Sequence, residues 1–94
     1  MRHMARMHNV FVIKNKLGLH ARAASRLAQV ASRFPCDIQV GREGQMANAK
    51  SVMGVLLLCG AQGTSVDVEA EGEGAEEALR EIGELIDNRF GEGE

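Results

Sequence analysis

Ninety-four residues are enough for one domain with a modest core and too few for two. A hydrophobic content of 45% supports a globular fold, while three Phe with no Trp or Tyr give an aliphatic interior and little to stack on nucleic-acid bases. Net charge is −2, yet all 13 carboxylates lie beyond residue 36, whereas Arg2, Arg6, Lys14, Lys16, Arg22, Arg26 and Arg33 precede it. A basic surface on an acidic molecule steers an acidic protein partner, and the acidic remainder opposes a long polyanion such as nucleic acid.

The elements follow in order. Residues 1–7 show no period and read as a loose N-terminal extension, and His3 with His8 lacks the third ligand a metal needs. Val10 to Ile13 is apolar and β-branched, which predicts a strand interior to a sheet. Asn15, Lys16 and Gly18 mark a turn, and from Ala21 to Arg33 the residues Ala24, Leu27, Ala28 and Ala31 recur at helical spacing. Phe34-Pro35 ends that helix. Asp37 to Val40 alternates as a half-buried strand, Gly41 to Gly44 is a turn, and Gln45 to Ala47 returns as a short strand. Ser51 is placed to cap a short helix over Val52–Leu58, with Gly60 as its stop.

Ser65 to Glu71 alternates again, with Val66, Val68 and Ala70 inward. The last helix, about Ala75 to Arg89, carries Ala75, Ala78, Leu79, Ile82, Leu85, Ile86 and Phe90 on one stripe, and residues 91–94 are expected to fray. The order β-α-β-β-α-β-α predicts an α+β, two-layer open-faced sandwich, a four-stranded antiparallel sheet covered on one face by three helices. Cys36 and Cys59, without a C-x-x-C, read as two buried, reduced thiols. No signal-peptide pattern is present, and the longest apolar-plus-glycine run, Val52 to Ala61, is too short to span a bilayer, which predicts a cytoplasmic protein with no membrane insertion.

The chemistry concentrates at His20. It falls at a helix start, where free backbone amides and the positive end of the peptide dipoles favour an anion, and Arg22 adds a guanidinium fork suited to phosphate oxygens. A neutral imidazole beside such a pocket is the equipment of a phosphohistidine.

Two segments, Gly18-Leu19-His20-Ala21-Arg22-Ala23-Ala24 and Lys50-Ser51-Val52-Met53-Gly54-Val55, resemble the HPr family, the small histidine phosphocarriers of the phosphoenolpyruvate-dependent phosphotransferase system. The resemblance runs from about His8 to Phe90 and implies a single HPr-like domain over residues 8–90, expected to be monomeric. It implies that His20 accepts a phosphoryl group on Nδ1 from enzyme I and passes it to an enzyme IIA-type domain, with Arg22 holding the phosphoryl oxygens. It further implies that Ser51 is a regulatory phosphorylation site for an HPr kinase/phosphorylase, and that Val52, Met53 and Leu56, with Arg26, dock partners. Such a carrier is not an enzyme with turnover of its own and needs no metal or organic cofactor.

Ala23 departs from the family pattern, where proline usually follows the arginine, and predicts a slightly more mobile site. The other reading is a regulatory binding module of the same fold, acting through Ser51 or through unphosphorylated contacts with a target enzyme. A hydrolase using His20 and Ser25 fits poorly, because no carboxylate lies within the first 36 residues to orient the histidine. Either a sugar-uptake or a nitrogen-related branch of the system would suit the sequence.

Overall fold

The computed structural model describes residues 6–94. Four strands, β1 (Arg6–Val12), β2 (Asp37–Arg42), β3 (Gln45–Asn48) and β4 (Ser65–Glu71), alternate with three helices, α1 (Ala21–Ala31), α2 (Val52–Leu56) and α3 (Ala75–Asp87). The strands form one antiparallel sheet in the order β1-β4-β2-β3. The two-layer open-faced sandwich expected from the element order is the fold. His3 lies outside the described residues, as does most of the extension assigned to residues 1–7, of which Arg6 and Met7 belong to β1. Among the described residues, no helix is long and apolar enough to cross a membrane.

Period-2 patterning sets the sheet. Val66, Val68 and Ala70 of β4 and Ile38 and Val40 of β2 are buried beneath the helices, and their alternates turn to the open face. Glu43 and Gly44, both at positive φ (53° and 84°), make a two-residue hairpin loop between Arg42 and Gln45. The turn is therefore narrower than residues 41–44, and β2 runs two residues further than its alternation suggested. The apolar run of β1 does not place it inside the sheet. It is an edge strand paired only with β4, and Val10 and Val12 lie half exposed on the open face while Phe11 packs inward. Continuous hydrophobicity marks burial on both faces only when both faces are covered, and here one is not.

Against the sheet, α1 buries Ala23, Ala24, Leu27, Ala28 and Ala31, and α3 buries Ala75, Ala78, Leu79, Ile82, Gly83 and Ile86. Both helices end two residues before the sequence boundary. The helix read over Val52–Leu58 stops at Leu56, with Leu57 as its C-cap. The two thiols differ: Cys36 is buried, whereas Cys59, at φ 53°, is exposed. A lone cysteine in a chain of apolar neighbours gives no indication of which side of a loop it will face, and the left-handed turn after α2 rotates Cys59 outward.

Gly18 fixes how β1 hands the chain to α1. Its φ is +69°, and a Cβ there would lie 2.3 Å from the Gly60 carbonyl oxygen, a backbone atom that cannot rotate away. Leu19 N–H meets the same oxygen at 2.8 Å. Gly18→Ala is expected to remove at least about 2 kcal/mol of stability, through left-handed strain plus overpacking. A lowered urea midpoint at unchanged slope would register it, and an unaltered midpoint would show that the loop is not tightly closed.

Candidate functional site

The turn after β1 builds the site. Gly18 N–H donates to the Asn15 carbonyl (3.1 Å) and His20 N–H to the Gly18 carbonyl (2.9 Å), which leaves His20 extended (φ −82°, ψ 180°) as the N-cap of α1. Its ring turns back over the helix start, and Nδ1 accepts the Arg22 N–H at 3.3 Å. Ser, Thr, Asp and Asn usually fill this role, so an imidazole here is a choice that sacrifices some capping strength. The His20 side chain is about one-quarter exposed. Arg22 points to solvent and takes part in no ion pair among the described residues.

The other half of the site comes from the end of the chain. After α3, a single 3₁₀ turn over Arg89–Gly91 places three successive residues at left-handed φ: Arg89 (55°), Phe90 (54°) and Gly91 (80°). Such backbone is unfavourable for an arginine and a phenylalanine and persists only where packing over-determines it. Here the Phe90 ring is wholly buried, and Arg26 Nη1 donates to the Phe90 carbonyl. The chain then returns across the start of α1, where Lys16 N–H donates to the Glu94 carbonyl at 3.0 Å. In the expected frayed tail, the Glu92 side chain and the Glu94 backbone thus pair with the turn before α1 and its histidine, while Gly91, Gly93 and the Glu94 side chain stay exposed. Phe90 holds this segment as an anchor, and backbone pairing with the turn finishes the seam.

That return delivers Glu92, whose Oε2 contacts His20 Nε2 and whose Oε1 accepts from Asn15 Nδ2 at 3.0 Å. Asn15, fully buried, spends its second amide hydrogen on the Gly18 carbonyl (2.8 Å), so both donors are committed and its Oδ1 has no partner. The donors settle the amide orientation. They settle the ring as well: a carboxylate can only accept, so Nε2 carries the hydrogen and Nδ1 keeps its lone pair, facing the helix amide. Burial pushes the Glu92 carboxyl upward, but hydrogen bonds from His20 and Asn15 and the electrostatic pull of the His20 ring and the Arg22 guanidinium outweigh it and hold the group below its ordinary range.

Sequence reasoning missed Glu92 and Asn15. Glu92 sits in a Gly-Glu-Gly-Glu run with no periodicity, and Asn15 reads as an ordinary turn residue. The one usable signal was Phe90, an apolar side chain continuing the α3 stripe past its last turn.

The remaining candidates lie on and beside α2, which packs on α1. Ser51 caps α2, its Oγ accepting the Gly54 N–H at 3.1 Å. Val52 and Leu56 are half-buried against the core, Met53 is two-thirds exposed, and Leu57 and Leu17 are equally open although neither was singled out. Arg26 is half-buried and engaged with the Phe90 carbonyl, so its guanidinium braces the tail turn. Among the described residues, no hydrogen bond or ion pair joins Ser51 to His20. No cluster of three or more His, Cys, Asp or Glu able to hold a metal occurs among them either.

The depressed Glu92 pKa fixes a sign for stability. With the folded value below the unfolded one, the contribution is fully present above the unfolded pKa and is lost as pH falls through the folded pKa. Glu92→Gln is therefore expected to be less stable than the parent near neutrality, with the two converging as pH drops into the acid range. Urea unfolding across pH 7 to 3 checks this, and parallel curves would mean the carboxylate is not held by its neighbours.

A family model for the PTS HPr component phosphorylation site matches residues 7–88. The phosphocarrier protein HPr of Pseudomonas aeruginosa is 49% identical over 83 residues, covering 87% of this chain and 92% of that protein. Among solved structures, HPr-C-His from Thermoanaerobacter tengcongensis superposes with a TM-score of 0.89 at 42% identity, covering 94% of this chain and 99% of the other. An HPr from Bacillus anthracis gives 0.84 at 35%, covering 87% and 98%. With its sequence matched almost end to end and its sandwich superposing so closely, the chain belongs to the HPr family of phosphocarrier proteins of the phosphotransferase system.

Proposed function

We propose that this phosphocarrier takes its phosphoryl group on His20 Nδ1 from the phosphohistidine of enzyme I and passes it to an enzyme IIA-type domain. The observation that carries this reading is the N-cap position of His20, with Nδ1 toward a helix amide and Nε2 already engaged by Glu92. The Nδ1 lone pair attacks phosphorus, the donor's N–P bond breaks, and its electron pair returns to the donor nitrogen. The Arg22 N–H that Nδ1 held is thereby released to a phosphoryl oxygen, and the exposed Arg22 guanidinium is free to move onto another. A carrier must release as readily as it accepts, and a site partly open to solvent, held by a few donors, suits that exchange better than a closed pocket.

Partners dock through exposed apolar side chains of α2 and its C-cap, Met53 and Leu57, and of the turn before α1, Leu17, with Val52 and Leu56 beneath. Arg22, exposed and in no ion pair among the described residues, offers positive charge to an acidic partner surface, while Lys14, Lys16 and Arg33 are paired with Asp87, Glu94 and Glu81. Ser51 is a regulatory phosphorylation site for an HPr kinase/phosphorylase. A phosphate there takes over the Gly54 amide from the hydroxyl and places negative charge beside Met53, repelling the same acidic partners. The protein works in the cytoplasm as a monomer.

Incubation with enzyme I and phosphoenolpyruvate is expected to label the protein with one alkali-stable, acid-labile phosphate that His20→Ala abolishes. Loss of charged hydrogen bonds in Arg22→Ala should slow labelling about tenfold or more. Ser51→Asp should raise KM for enzyme I while leaving the fold intact. A parent protein that takes no label, with active enzyme I and a control carrier, would instead favour a regulatory module acting through unphosphorylated contacts.

A further inference from the structure

We infer that Glu92 is a positioning residue for phosphoryl transfer: with Asn15 behind it, its carboxylate holds the His20 ring in the Nε2–H form and compensates the positive charge that appears when Nδ1 bonds phosphorus. The inference rests on the reading of His20 as the acceptor. Three independent features of the structure converge on it. The carboxylate bridges two groups, His20 Nε2 through Oε2 and Asn15 Nδ2 through Oε1, so it is oriented at both oxygens. The Glu92 side chain is about 10% exposed, which removes most of the water that would otherwise screen the pair. And the chain tolerates two non-glycine residues in left-handed backbone, Arg89 and Phe90, to turn residue 92 back onto the ring.

Charge and atoms balance without a proton moving. In the resting ring Nε2 bears hydrogen and Nδ1 bears the pair. When that pair forms the N–P bond, the ring becomes a phosphorylated imidazolium, its positive charge shared with Nε2–H. A fixed carboxylate on that hydrogen lowers the energy of the charged ring, as an aspartate does for the imidazolium in a serine protease triad. It also keeps Nε2 protonated, so the imidazole is ready to leave as a neutral base when the next acceptor attacks phosphorus. Asn15 cannot supply charge; it confines the carboxylate to the one arrangement that serves the ring, and its unpartnered Oδ1 is the sacrifice made for that orientation. Glu92 touches neither phosphorus nor a transferring atom and acts only through His20.

The test combines the rate of phosphoryl acceptance from enzyme I with the ¹⁵N signature of the His20 ring in parent, Glu92→Ala and Glu92→Gln, each first shown to be folded by its amide spectrum. The parent is expected to show a single Nε2–H form. Glu92→Ala should shift the ring toward a mixture of tautomers and accept phosphate about tenfold more slowly, the worth of one charge-assisted hydrogen bond. Glu92→Gln keeps an acceptor but no charge, so it should retain the ring form while losing most of the rate. Unchanged nitrogen shifts in Glu92→Ala, an unchanged rate, or a faster rate that would make the tail an obstruction each overturn the inference. If the parent accepts no phosphate, the carrier reading fails instead, and the nitrogen shifts alone decide whether Glu92 fixes the ring.

Discussion

The imidazole of His20 is held from two sides by parts of the chain that are 72 residues apart in sequence. One nitrogen meets an amide two positions further along its own helix, and the other meets a carboxylate from beyond the last helix. Much else in the molecule is arranged to allow this. Gly18 closes the turn that presents the ring, the loop after α2 presses its Gly60 carbonyl onto that turn, and Phe90 seats the returning segment in the core. Arg26 on the helix that carries the site then braces the left-handed bend that brings the carboxylate home.

The rest of the sheet is a platform for these loops. Strand order β1-β4-β2-β3 places the two central strands under the helices, and the interior is filled mostly by small and branched aliphatic side chains together with Phe34 and Phe90. Alanines along α1 let that helix lie close to the layer beneath, and Ala23, where the family pattern has proline, is fully buried at its start.

Much of the fold was legible because periodicity is local. The alternation of Val66, Val68 and Ala70 and the broad stripe of α3 each name their inward face without knowledge of any other element. The position of β1 was not legible, since an apolar strand looks alike at the centre and at the edge until its partners are known. His20 and Arg22 could be read because both belong to one short segment, and the cap of α2 by Ser51 likewise. Glu92 could not. Its contact depends on three left-handed residues, on where Phe90 inserts and on a buried amide far upstream, none of which leaves a spacing in the sequence.

The long loop closed between His20 and Glu92 also separates the architecture from the chemistry along the chain. All four strands and all three helices lie within residues 6–87, whereas the second partner of the ring comes only at residue 92. Removing residues 92–94 would therefore leave every strand and helix in place and take away one of the two groups that orient the histidine.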